Sequence, residues 1–117
     1  MALNNTGLDL MLDALAAAAT HVSLHTSSPG TNGANELTGT GYARQTIPWD
    51  ASDDGLLTTD DAIVFTVPAD RTITHVGYWS ADNAGTFYGF RELDTSQTFA
   101  TAGTYTIAAG NLSEALS

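Results

Sequence analysis

At His21 the hydrophobic period of the chain changes from 3.6 residues to 2, and it does not change back. That switch predicts one amphipathic helix followed by nothing but short strands. Leading into it, Leu8, Met11, Leu12, Leu15 and Ala19, with Val22 just beyond, recur at the spacing of one buried helical face. The Ala14–Ala19 run has high helix propensity, Asn5 or Thr6 is placed to cap, and Asp9 stands where the macrodipole favours an anion. The expected helix covers about residues 6–20. On its wheel Asp9, Asp13 and Thr20 form a narrow polar strip, with Leu10, Ala14 and Ala17 making a second apolar strip beyond it. A helix polar over so small an arc either closes one end of its own core or meets a neighbouring subunit through Leu10, Ala14 and Ala17.

After the switch, His21–Thr26 alternates, and Ser27–Gly33 is a loop by composition. Further strands are expected at Tyr42–Trp49, with Pro48 marking an edge, and at Ala62–Val67, stopped by Pro68. Thr72–Ser80 and Thr86–Leu93 form a hairpin around Ala81–Gly85, and shorter strands follow at Gln97–Phe99, Thr104–Ala108 and Leu112–Leu116. This pattern predicts a mainly β protein: a single β-sandwich or jelly-roll-like domain of seven to eight strands with one N-terminal helix, spanning 1–117. Hydrophobic residues at 43% and charged residues at 14% supply a core and argue against disorder. The N-terminus has no basic leader pattern, and its longest apolar stretch, Ala14–Ala19, is too short for a signal core or a membrane span.

Charge excludes two classes of partner. Three Arg, no Lys and 13 acidic residues give a net charge of −10. Polyanion binding works through Lys and Arg contacts that release counterions, so nucleic acid is not an expected partner. An anionic membrane surface repels the chain for the same reason. With no Cys there is no disulfide, thiol nucleophile or zinc-thiolate site.

The sharpest local pattern is Asp50-Ala51-Ser52-Asp53-Asp54-Gly55. Asp50, Ser52 and Asp54 fall at positions 1, 3 and 5 of a calcium loop, Gly55 at 6 and Asp61 at 12. Against calcium stand the Ser, the short Asp61 and the lack of flanking helices; the plain alternative is a solvated Asp/Gly turn. His21 and His25 lie roughly 13 Å apart along a strand, and His75 would have to come from another strand, so the imidazoles read as half-buried strand residues. No G-x-S-x-G elbow, paired-carboxylate cleft or phosphate loop is present, and enzymatic activity is not expected. Tyr78, Trp79, Phe87, Tyr88 and Phe90 crowd one hairpin, where a core role outweighs a sugar-stacking platform. Arg44 and Arg91 lie in expected strands, where each either pairs internally or bridges to a neighbouring subunit.

Two stretches carry a family resemblance. One runs from His21-Val22-Ser23-Leu24-His25-Thr26 through Pro29-Gly30 and Gly33–Gly39 to Tyr42-Ala43-Arg44-Gln45. The other comprises Val67-Pro68-Ala69, Thr74–Trp79, Gly85–Gly89, Phe99 and Ala102–Thr106. Together they resemble small virion structural proteins (tail-fibre-like, minor tail or capsid accessory) of tailed bacteriophages infecting actinobacteria. The resemblance implies a non-enzymatic structural subunit on the outer surface of the particle, first of all a capsid decoration or minor capsid protein binding its neighbours. The alternative is a tail-tip or fibre-associated minor tail protein touching host glycans through the Tyr78–Phe90 hairpin. A calcium-dependent binding module comes third. Expected partners are other virion proteins and further copies of the chain, a trimer being one form, with no cofactor.

Overall fold

The computed structural model describes residues 4–53 and 55–115. The helix α1 (Asn5–Ala18) is capped one or two residues earlier than expected, by Asn4, whose carboxamide accepts the Gly7 N–H at 2.9 Å. It stops where Thr20 N–H turns to the carbonyl of Trp79 and the chain enters the sheet.

Eight strands follow among the described residues: β1 (His21–His25), β2 (Gln45–Thr46), β3 (Leu56–Thr58), β4 (Ile63–Val67), β5 (Arg71–Trp79), β6 (Phe87–Phe99), β7 (Gly103–Ile107) and β8 (Ser113–Ala115). A four-stranded antiparallel sheet runs β2-β1-β5-β6, and β4-β7 and β3-β8 form two-stranded sheets. Val22 and Leu24 from β1, Ile73, Val76 and Tyr78 from β5, and Ile63, Phe65 and Val67 from β4 meet in one core, with Ile107 from β7. The mainly β, one-helix architecture is therefore as the alternation predicts, in the form of a sandwich whose larger sheet faces the β4-β7 pair.

Three elements differ from the sequence expectation. The strand expected at Tyr42–Trp49 shrinks to Gln45–Thr46, because Arg44 and Tyr42 are drawn into side-chain bonds described below. Beyond it Trp49 bridges to Thr59 instead of continuing along β1. The two strands expected at Thr86–Leu93 and Gln97–Phe99 are one strand with a large bulge. His75 faces Glu92 and Ile73 faces Gln97, so residues 93–96 stand opposite Thr74 alone. β3 forms where a calcium loop was a candidate.

The helix sits differently from its wheel. Leu12 is buried, Leu8 and Leu15 are half-buried, but Met11, expected on the buried face, is 46% exposed. The polar strip faces protein: Asp9 Oδ1 accepts the Gly55 N–H at 2.9 Å, and Asp13 Oδ1 accepts the Ser52 N–H at 3.1 Å and its hydroxyl at 2.7 Å. Docking that strip on the 52–55 turn leaves the opposite side of α1 in solvent.

Candidate functional site

The long connection between β1 and β2 is held against the larger sheet by two linked polar clusters. In the first, Arg44 forks onto Glu36, Nε to Oε2 and Nη2 to Oε1, both at 2.9 Å. Its Nη1 donates to the carbonyls of Ala81 at 3.1 Å and Ala84 at 2.8 Å, in the turn of the β5–β6 hairpin. Its Cζ lies 3.6 Å from the centroid of a Trp79 ring. The Tyr42 hydroxyl donates to Glu36 Oε2 at 2.9 Å and accepts the Leu24 N–H at 3.0 Å. Burial pushes Glu36 upward, yet the bonds from Arg44 and Tyr42 outweigh it and hold the carboxyl below its ordinary value. Burial also pushes the Tyr42 phenol well up.

The second cluster begins at Trp79, whose Nε1–H donates to Ser23 Oγ at 2.8 Å. Ser23 Oγ lies 2.6 Å from His25 Nε2, and His25 Nδ1 lies 2.8 Å from the Ala34 carbonyl. A carbonyl only accepts, so Nδ1 carries the proton and Ser23 donates to Nε2. Gly77 makes the arrangement sterically feasible: a Cβ there would lie 2.7 Å from both His25 Nε2 and Ser23 Oγ. The Ser–His pair has the look of a nucleophile and its base, but both side chains are fully buried, where no substrate reaches them.

Burial lowers the His25 pKa, outweighing the Ala34 bond and the Glu36 charge that raise it. A folded-state pKa below the unfolded one means that the unfolded chain binds the proton first. The stabilisation is thus fully present above about pH 6.5 and is lost as pH falls from there through the folded value. In an NMR titration of the imidazoles, His25 should protonate below the ordinary histidine value of 6.5. A midpoint at or above that value would contradict the buried neutral imidazole.

Away from this rigid centre, two surfaces stand out among the described residues. One is the outward side of α1, where Leu10 is 69% exposed and Met11, Ala14 and Ala17 are also exposed. The other is a groove of about 360 Å³ between the edges of the two facing sheets, bounded by the β6 bulge on one side and β7 and Leu112 on the other.

The sequence matches the family model described as "Podophage GP4 fiber I protein gp80" over residues 2–114. The chain belongs to that fibre-protein family. Among curated proteins none matches it. Membership in the gp80 family makes it a phage fibre-type structural protein, which carries the resemblance noted above to the bacteriophage virion but not to an actinobacterial host. It also favours the fibre-associated alternative over capsid decoration.

For this fibre-family chain the structure relocates several sequence candidates. Arg44, for which internal pairing and a subunit contact both stood open, has a side chain only 8% exposed and its donors committed within the chain, so its role is internal. Arg91 is exposed on β6 and lines the groove. Leu10, Ala14 and Ala17 are in solvent, as a subunit contact requires of them.

Of the calcium candidates, Asp54 lies outside the described residues. Ser52 is bound to Asp13, and the Asp50 and Asp61 carboxylates accept the next residue's N–H, from Ala51 and Ala62. Asp53 and Leu56 exchange both backbone bonds at 2.9 Å around a turn in which Gly55 has φ +76°. Among the described residues no three His, Asp or Glu gather around one metal position. His75, assigned to a strand by the sequence but without its pairing, stands directly opposite His25 in the β1–β5 register and meets Phe90 edge-on.

The aromatic hairpin divides. Tyr78 and Trp79 are buried, while Tyr88 and Phe90 are exposed. A platform that relied on Trp79 is therefore not available at the surface. Sequence reasoning missed the groove because it joins the bulge of β6 to β7 and Leu112; only the alternation break near Asp94-Thr95-Ser96 hinted at irregular backbone there.

Proposed function

We propose that the chain is a non-enzymatic component of the phage fibre apparatus on the outside of the particle, which works by fitting against neighbouring virion proteins and copies of itself. The family match over residues 2–114 carries this reading. The geometry supports it: the polar centre of the molecule is sealed and structural, and a continuous helix face of Leu10, Met11, Ala14 and Ala17 lies uncovered. A large apolar side chain left in solvent beside a docked polar strip is the pattern of a surface that assembly covers. The net charge of −10 suits a position away from packaged DNA and a partner surface that is apolar or basic.

Quantitative mass spectrometry of purified virions tests placement. The fibre reading expects a copy number set by the low rotational symmetry of a tail; a number matching the capsid lattice would return the decoration reading, and absence from the particle would end both. The helix contact is tested by Leu10→Gln with Ala14→Gln. Both are exposed helix positions, so stability should change by no more than about 0.5 kcal/mol, while incorporation into particles should fall severalfold. Normal incorporation of a stably folded double variant would remove α1 from the interface.

A further inference from the structure

Strands joined by a short turn usually pair with each other. Only residues 100–102 separate β6 from β7, yet β6 pairs with β5 and β7 with β4. The two strands therefore splay apart from their turn. Near it the rings of Phe99 and Tyr105 meet edge-on with centroids 6.5 Å apart, and Tyr105 packs on Phe65 behind them. Further along lies the groove of about 360 Å³, floored by Val76, Leu93, Ile107 and Leu112. On the opposite side of the sandwich β2 comes alongside β4, which leaves the β6–β7 side as the open one.

The groove is bounded by strand edges as well as by side chains. Successive residues of a strand point to opposite faces, so a cavity lying over one face touches every second residue. This one touches Tyr105, Thr106 and Ile107 in succession on β7, and Glu92, Leu93, Asp94 and Thr95 on β6. Among the described residues neither strand has a ladder partner on its second edge. Facing sheets stand about 10 Å apart and paired strands about 4.8 Å, so one strand midway between two sheet edges lies at pairing distance from both. An extended segment of about four residues is therefore the shape that this opening fits, with alternate side chains directed to the floor and to solvent.

Charge selects among possible segments. Glu92 and Asp94 against Arg91 leave the rim negative, on a chain of net charge −10. A second copy would bring the same acidic charge, and its long β6 edge is interrupted by the 93–96 bulge, a device that blocks edge-to-edge pairing of sheets. A short segment needs only the regular edge of β7 and local pairing on β6. Aliphatic residues suit its inward positions, and Lys or Arg its outward ones. We infer that the slot between β6 and β7 receives an extended, basic segment of a different virion protein, added as a strand between the two sheet edges. The inference rests on the fibre reading and names a partner surface within it.

The test is hydrogen exchange read by mass spectrometry, on the purified chain and on intact virions. Peptides covering residues 92–95 and 105–107 should contain amides that exchange about tenfold or more slowly in the particle. Gln97→p-benzoylphenylalanine, at an exposed position, should photo-cross-link within the virion to another protein, at a stretch carrying Lys or Arg. Asp94→Lys, also exposed, should leave the melting temperature unchanged and lower incorporation severalfold, with Asp94→Asn in between. Unchanged exchange in a particle that contains the chain would overturn the inference and leave the fibre reading standing. So would a cross-link to a further copy of the chain, or normal incorporation of Asp94→Lys. Absence of the chain from the particle would end both.

Discussion

Replacing Arg44 by alanine should destabilise the protein by about 3 kcal/mol. For a domain of this size that corresponds to a fall of roughly 10 °C in melting temperature. The expectation comes from what the substitution leaves behind. Glu36 keeps a carboxylate with a side chain only 23% exposed and loses both bonds of the fork. The carbonyls of Ala81 and Ala84 lose their donor, and Trp79 loses the cation above its ring. Lysine in place of Arg44 should recover only part of the loss, since an ammonium cannot fork onto Glu36 and still reach the hairpin turn. A melting temperature within two or three degrees of the parent (differential scanning fluorimetry suffices) would show that the clamp is ornamental.

Trp79→Ala should cost about 4 kcal/mol, within the range for removing a large aromatic from a core. Its indole is 8% exposed, lies against Phe87 with centroids 5.1 Å apart, and donates to Ser23, so its loss opens a cavity and breaks the chain of bonds to His25. Trp79→Phe should cost less, because the ring remains and the N–H alone is lost. Because Arg44 and Trp79 touch, the double variant should be destabilised by clearly less than the sum of the single ones. If Trp79→Ala instead folded normally and the phage lost host attachment, the residue would be a surface anchor and the buried assignment would fail.

These two residues also show how far the sequence alone reaches. Alternation assigned Trp79 to a strand and composition made Arg44 conspicuous as one of three cations, but neither property says that they touch. Their contact depends on a loop from Thr26 to Arg44 folding back over the sheet, with Ala34, Glu36 and Gly33 arriving from positions that have no period at all. The helix teaches a similar lesson. The wheel correctly divided it into two apolar strips and a polar one, yet Met11 faces solvent because Asp9 and Asp13 have better partners in the Ser52–Gly55 turn than in water. That turn had looked like half of a calcium loop; instead Gly55 takes φ +76° between the mutually bonded Asp53 and Leu56, and the chain leaves it as β3 to pair with β8, distant in sequence.

The amino-acid sequence by itself determined that this would be a mainly β chain with one helix, where most of its strands run, which apolar residues are available for the core, and that its charge repels polyanions. These are local or summed properties: period, propensity and net charge do not depend on which distant residues meet. Only the tertiary structure decided that Arg44 is a clamp and not a contact, that the helix turns an apolar side outward, and that a bulge in β6 opens a polar groove against β7. Each of those outcomes is a competition among partners far apart in the chain, settled by which arrangement buries the most apolar surface while leaving the fewest buried polar groups unbonded.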